Sequence, residues 1–203
     1  MPCFGFSTGN SYNIGFFGSG ESRFAVISGV KQGRWSKELY GFGPDSYNTV
    51  NICSEITKLK QQNIPVFIFI HWGTELIEVP DEQDILNAHK FIDAGALAVI
   101  GHHPHVCQGM EYYKSGFIAY SLGSFIYVHE DETGFSANDK SRFYSICLTL
   151  EIENNQIFSD NCTVYKYNTE TKLPEKLDDS FSDQFMANLS KNINNRELYK
   201  QQN

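Results

Sequence analysis

Two short apolar runs that each lead into histidine constrain the fold of this chain more than any other feature. The first run is Val66–Ile70, followed by His71, and the second is Leu97–Ile100, followed by Gly-His-His-Pro-His at 101–105. Short apolar runs rich in β-branched and aromatic residues are typical of strands buried on both faces of a sheet. In an open α/β sheet, ligands bind in the crevice beyond the carboxyl ends of the strands. Four of the six histidines therefore lie where a ligand site is expected.

The spacing of apolar residues around these runs predicts an α/β domain. Apolar residues three and four positions apart predict amphipathic helices over 44–63 and 81–94, the second ending at a Gly95 cap. The run at 66–70, the helix at 81–94 and the run at 97–100 form a βαβ unit, whose two strands are parallel neighbours. The histidines at the two strand ends are then expected in one crevice.

Antiparallel hairpins are expected before and after this unit. Apolar alternation around turn sequences predicts three of them, which span 12–28, 106–121 and 142–167. Polar stretches at 31–43 and 131–140 predict loops, and a last helix is predicted from Ser180 to about residue 200. The expected fold is a layered α/β domain with a mixed sheet, parallel early in the chain and antiparallel late.

Charge and composition exclude some classes of function. The formal net charge of -8 and the absence of a Lys/Arg patch argue against nucleic acid as a partner. No apolar run approaches the roughly 18 residues of a transmembrane helix, and no export signal opens the sequence, so the chain as given is expected to be soluble. Its five cysteines are widely spaced without a C-x-x-C motif, which favours free thiols over a disulfide framework.

The spacing of the histidines indicates a metal site. His103 and His105 are separated by one residue, and in extended backbone alternate side chains point the same way, so both rings can face one point. Neutral imidazole is the commonest metal ligand in proteins. A lone histidine such as His89 is better explained as a core or surface residue, but packing does not require three histidines in four positions beside His71. The predicted ligands are His71, His103 and His105.

Several segments carry a resemblance to a known family. They are Ile70–Glu75, Pro80, Gln83, Ile92–Ala96, Val99–Val106, Gln108, Glu111–Tyr112 and Tyr120–Phe125. In this order and spacing they resemble the signature segments of the bacterial capsule-synthesis CapA family, also called the poly-γ-glutamate biosynthesis family. The resemblance covers residues 63–127 closely and the flanks weakly.

The resemblance implies a fold and an activity. The family has a calcineurin-like metallophosphoesterase fold, a layered sandwich with mixed sheets, in which His71 matches a Gly-His motif and His103 and His105 match a Gly-His-x-His motif. It implies one or two divalent ions (Mn, Zn or Fe) and metal-assisted hydrolysis of a phosphoester or an anionic polymer. The implied catalytic residues are His71, His103 and Glu75. Residues expected to bind substrate or support the ligands are Trp72, His102, Glu111, Ser121 and Ser124; the two glutamates are equally well explained as solvated loop charges.

The departures from the family pattern lead to further expectations. Nothing before Phe42 resembles the family's Asp-rich and Asn-His motifs, since Thr8–Asn10 lacks the histidine, and Ser124 stands where the family usually has Asn. The chain therefore resembles the C-terminal two-thirds of a member, with an incomplete domain at 1–175 and a helical tail at 176–203. Absence of the family's first strands would leave an open sheet edge, which predicts a homodimer.

Two functions remain open from the sequence. The first is a metal-dependent hydrolase in capsule or poly-γ-glutamate biosynthesis, and the second is a non-catalytic envelope or polymer-binding scaffold with a degenerate metal site. The missing motifs leave open whether the chain is an enzyme. The family is usually envelope-associated or extracellular, and a cytoplasmic location is the alternative for this chain.

Overall fold

The structure is a computed structural model that describes residues 6–7, 12, 14–31, 43–44, 47–126 and 140–194. Its strands are β1 (Phe6–Ser7), β2 (Gly15–Phe17), β3 (Phe24–Val30), β4 (Gly43–Pro44), β5 (Val66–His71), β6 (Ala98–His102), β7 (Met110–Tyr113), β8 (Gly116–Ala119), β9 (Tyr144–Glu153), β10 (Gln156–Asn168) and β11 (Leu173–Lys176). Its α-helices are α1 (Thr49–Gln61), α2 (Glu82–Ala94) and α3 (Asp179–Lys191), and short 3-10 helices span Gly20–Ser22 and Lys140–Phe143.

The strands form one large mixed sheet and two smaller sheets. The large sheet has the strand order β2-β3-β5-β6-β8-β7. Strands β3, β5, β6 and β8 run parallel, while β2 and β7 pair antiparallel with β3 and β8 at the two edges. The predicted α/β fold with a mixed sheet is therefore confirmed. The carboxyl ends of the four parallel strands lie along the same edge of the sheet.

The two faces of this sheet are covered by different layers. Val66, Ile68 and Ile70 of β5 are fully buried in a core cluster that also contains residues of α1 and α2. Ala98 and Ile100 of β6 belong to a second cluster, which includes residues of β9, β10 and α3. Because side chains alternate along a strand, each strand supplies both layers, as the apolar runs in the sequence require. The result is a layered α/β sandwich.

The helix ends follow the sequence signals. The Asn48 side chain accepts a hydrogen bond from the Asn51 N–H at 3.0 Å and caps the start of α1. Helix α2 ends at Gly95, whose φ of 115° needs the conformational freedom of glycine. The chain then returns directly to β6, so the predicted βαβ unit and its parallel strand pair are present.

Some elements differ from the sequence-based expectations. The last helix was expected to reach about residue 200, but α3 ends at Lys191 and the described residues end at 194. Strand β11 and the short β1–β4 pair were not predicted. Most of the expected loops at 31–43 and 131–140, and the segment at 8–10, lie outside the described residues. Among the residues that are described, no helix is long and apolar enough to span a membrane.

Candidate metal centre

The candidate site is built at the carboxyl ends of β5 and β6. These neighbouring strands pair in parallel register, and their last residues, His71 and His102, are partners in the ladder. The Trp72 N–H continues the pairing by donating to the His102 carbonyl at 2.9 Å. This register brings His71 beside the segment at 102–105, more than thirty positions later in the sequence.

Three imidazole rings converge at these strand ends. The ring centres of His71 and His103 are 4.5 Å apart, and those of His103 and His105 are 5.8 Å apart. Two imidazoles on one tetrahedral ion, with metal–nitrogen distances of about 2.0–2.1 Å, place their ring centres roughly 5 Å apart. The observed spacings therefore fit a shared ion.

The ring spacing does not by itself make a finished metal site. Within the described part of the chain, no three His, Cys, Asp or Glu side chains are already arranged to hold an ion. The metal assignment for His71, His103 and His105 stays a prediction.

The backbone that presents His103 and His105 is not extended, as the sequence reasoning assumed. His103 has a φ of 106° and His105 a φ of 60°, both in a region that residues other than glycine seldom adopt. The expectation of extended backbone at these two residues was therefore wrong, and a bent segment carries both histidines. Such strained residues persist only where their surroundings hold them, and they cluster at functional sites.

Pro104 is the anchor of this bent segment. Its carbonyl accepts a hydrogen bond from the Leu76 N–H at 2.8 Å. Its ring packs on Gly73, where an added Cβ would lie 2.9 Å from the Pro104 Cγ atom. The loop after β5 therefore holds the loop after β6, and each of these loops adjoins a histidine of the cluster.

Ser124 fixes one of the rings directly. Its hydroxyl oxygen lies 2.9 Å from Nδ1 of His105, and Ser124 itself is only 8% exposed. Because Nδ1 makes this contact, a metal ion would bind His105 through Nε2. The other predicted serine, Ser121, accepts a hydrogen bond from the Gly123 N–H at 3.3 Å and so shapes the same loop.

The protein environment disfavours charge on His71. Burial, followed by the nearby His103, His105 and His102, lowers the pKa of His71 to about 4 although its side chain reaches the surface. His71 is therefore neutral at neutral pH, which is the form that binds metal. Burial also lowers the pKa of His102, whose ring stacks on Phe69 with 5.9 Å between ring centres.

The two predicted glutamates have different surroundings. Glu75 is exposed in the loop after β5. The Glu111 carboxylate lies 2.7 Å from Nε2 of His89 and accepts a hydrogen bond from the Tyr120 hydroxyl at 2.6 Å. Helix α2 carries His89, so this contact lies on the helix-covered face of the sheet. Glu111 therefore supports the fold behind the site.

Trp72 also points into the helix-covered core. It is 1% exposed, and its indole N–H donates to the main-chain carbonyl of Tyr120 at 3.0 Å. The sequence reasoning did not predict a role for Tyr120 in this arrangement. Its position in the motif Tyr120–Phe125, directly after an apolar strand, is the signal that could have indicated it.

Known proteins share these segments. The family model described as "Bacterial capsule synthesis protein PGA_cap" matches residues 8–128, more than half of the chain. The Capsule biosynthesis protein CapA of Bacillus anthracis is 44% identical over 62 residues, which are 30% of this chain and 15% of that protein. The PGA biosynthesis protein CapA of Bacillus subtilis (strain 168) is 38% identical over 72 residues, which are 36% of this chain and 19% of that protein.

A third relative also matches over a short segment. The Uncharacterized protein y4sH of Sinorhizobium fredii is 50% identical over 50 residues, 25% of this chain and 11% of that protein. The matched segments thus span less than a fifth of each of these relatives. The family match contains all the candidate site residues, from His71 to Ser124. The chain therefore belongs to the bacterial capsule synthesis protein PGA_cap family.

Proposed function

We propose that this chain carries the histidine half of a metal-dependent hydrolase centre that acts in capsule or poly-γ-glutamate biosynthesis. The proposed ligands are His71, His103 and His105, and the proposed substrate is a phosphoester or an anionic polymer. The proposal draws its biological setting from the family.

The observation that carries the proposal is the convergence of three imidazoles at the carboxyl ends of adjacent parallel strands. The ring centres lie 4.5 and 5.8 Å apart, and two of the histidines hold unusual backbone angles to achieve this. Packing alone does not require two strained histidines at a solvent-accessible strand end. Strain of this kind is expected where a site must be preorganised.

Each residue has a defined task in the proposed centre. His71 offers a neutral ring from the end of β5, and His103 and His105 offer theirs from the bent segment after β6. Ser124 holds His105 through Nδ1, so a bound ion would take Nε2 as its ligand atom. A bound divalent ion supplies Lewis-acid polarisation of the scissile group and activation of water. Imidazole ligands bring no negative charge, so these three residues suit one ion better than two.

A non-catalytic binding or scaffold role is the second candidate. It is favoured by the lack, within the described residues, of three ligating side chains already set around one ion position. The two candidates differ in the metal binding that they predict for this chain. Both are compatible with membership of the family.

Metal titration tests the proposal. Isothermal calorimetry with Zn²⁺ and Mn²⁺ on chelator-free protein should give close to one ion per chain. His103→Ala and His105→Ala should abolish or sharply weaken this binding. The control is His89→Ala, which removes a histidine whose ring is held by Glu111 on the other face of the sheet. Equal losses from His89→Ala and His103→Ala would refute the ligand assignment.

Hydrolysis assays, combined with the metal titration, separate the two candidate functions. Hydrolysis of a generic phosphomonoester and a phosphodiester is followed with and without Mn²⁺. Because three imidazoles cannot offset the charge of a two-ion centre, we expect little or no turnover by the 203-residue chain alone. Rapid metal-dependent hydrolysis that His103→Ala removes would establish a complete catalytic centre in this chain. Metal binding without turnover is the result expected of a half centre, and the absence of metal binding would support the scaffold role.

A further inference from the structure

One hydrogen bond spans three strand ends directly behind the histidine cluster. The indole N–H of Trp72, which follows β5, donates to the carbonyl of Tyr120, which follows β8, at 3.0 Å. Strand β6 lies between these two strands in the sheet. The bond therefore passes across β6 on the helix-covered face. Both residues are buried, with exposures of 1% and 0%.

Gly101 is the residue beneath this bond. A Cβ placed there would overlap both the carbonyl oxygen of Tyr120 and Nε1 of Trp72. Gly101 lies in β6 immediately before His102 and His103, so the backbone that leads to the cluster is in contact with the bond. The need for glycine here is one of space, because the indole and the carbonyl approach the chain too closely for any side chain.

Filling of the core does not explain this arrangement. The Trp72 ring packs on Tyr120, with 6.2 Å between ring centres, and meets Tyr47 edge-on. An apolar ring of similar size could make those contacts. Only an N–H can reach a main-chain carbonyl two strands away, and buried tryptophans usually find such a partner for that group. The hydrogen bond sets the orientation of the indole and the spacing of the strands.

Tyr120 is itself held at its other end. Its hydroxyl donates to the Glu111 carboxylate at 2.6 Å, so the residue is fixed by both its main chain and its side chain. The carbonyl that receives the indole is therefore a rigid point of the sheet. Ligand groups in a site must be held to within about 0.5 Å, which requires such rigid supports.

We infer that the bond between Trp72 and Tyr120 positions the histidine cluster, and that Trp72, Gly101 and Tyr120 are positioning residues for it. Trp72 is covalently joined to His71, and Gly101 is two residues before His103. Loss of the bond releases the strand ends from each other and changes the distance between these two rings. The inference deepens the proposed function and rests on it for the identity of the ligand, but the ring positions can be measured without a ligand.

The test compares Trp72→Phe with Phe91→Leu. Phe91 is a fully buried aromatic residue of the same core cluster that lies on α2, so its truncation controls for loss of core volume. The first readout is long-range ¹H–¹⁵N imidazole spectra of the metal-free proteins. Trp72→Phe should shift the resonances of His71 and His103, while Phe91→Leu should leave them in place. The second readout is Zn²⁺ affinity, which should fall about tenfold in Trp72→Phe, at the lower end of losses for residues that support metal ligands.

A second substitution covers the case in which Trp72→Phe does not fold. Benzothienylalanine, which has sulfur in place of the indole N–H and nearly the same shape, is incorporated at position 72 in a Trp35→Phe background, since the chain has two tryptophans. It should reproduce the shifts of His71 and His103.

The outcomes separate the inference from the proposed function. Unchanged imidazole spectra in both Trp72 replacements would overturn the inference, whatever the metal affinity. Failure of the wild-type protein to bind Zn²⁺ would overturn the proposed function, while the metal-free spectra would still decide the inference. Equal shifts in Phe91→Leu and Trp72→Phe would reduce Trp72 to a packing residue and would also overturn the inference.

Discussion

Replacement of Ser124 by alanine tests how much the support of one imidazole contributes to metal binding. The hydroxyl of Ser124 lies 2.9 Å from Nδ1 of His105, and the serine is 8% exposed, so water has little access to take its place. A hydrogen bond between neutral groups contributes about 1 kcal/mol net. Since 1.4 kcal/mol corresponds to a factor of ten, Ser124→Ala should weaken Zn²⁺ binding roughly fivefold.

The assay for Ser124→Ala is calorimetric titration beside two further variants. Ser182→Ala is the matched control, because Ser182 is also buried, at 2% exposure, but its hydroxyl accepts from the Val164 N–H, away from the imidazoles. Ser124→Asn should retain more affinity than Ser124→Ala, since an amide can also bond to Nδ1. Wild-type affinity in Ser124→Ala, or the same loss in Ser182→Ala, would refute the supporting role of Ser124.

Three other predictions concern stability and thiol chemistry. Burial raises the pKa of Cys162 to about 11, whereas the thiol of an unfolded chain has a pKa near 8.5. As the pH rises, the unfolded chain therefore loses this proton before the folded chain does. The free energy of unfolding measured in urea should fall between about pH 8.5 and 11, and it should fall less in Cys162→Ala. Gly95→Ala should lower the free energy of unfolding by about 1–2 kcal/mol in urea titrations, because alanine is strained at a φ of 115°; an unchanged midpoint would contradict this. At pH 8 a thiol reagent should label exposed Cys147 rapidly but reach Cys107, which is 2% exposed and whose pKa is raised by burial, only in denaturant.

The local sequence pattern was sufficient to predict the framework of the site. The apolar run at 66–70, the helical spacing at 81–94 and Gly95 each describe a structure formed by residues close in the chain, and a βαβ unit has essentially one arrangement. Parallel pairing of β5 and β6 follows from that arrangement. The proximity of His71 to the histidines at 102–105 could therefore be predicted without any knowledge of side-chain positions.

Tertiary structure alone decided how the site residues are held. The positive φ angles of His103 and His105 flank Pro104, which packs against Gly73 in a contact between loops about thirty residues apart. The sequence suggested that Glu111 supports the imidazole ligands, but its carboxylate bonds to His89 and Tyr120 on the helix-covered face of the sheet.

The hydrogen bonds of Ser124 with His105 and of Trp72 with Tyr120 are further contacts between residues distant in the sequence. Local patterns determine which face of a strand or helix is apolar, and so they determine the layers and the strand order around the βαβ unit. They do not determine which polar atoms meet across those layers. Those contacts depend on the register and spacing of strands that are joined only after the chain has folded.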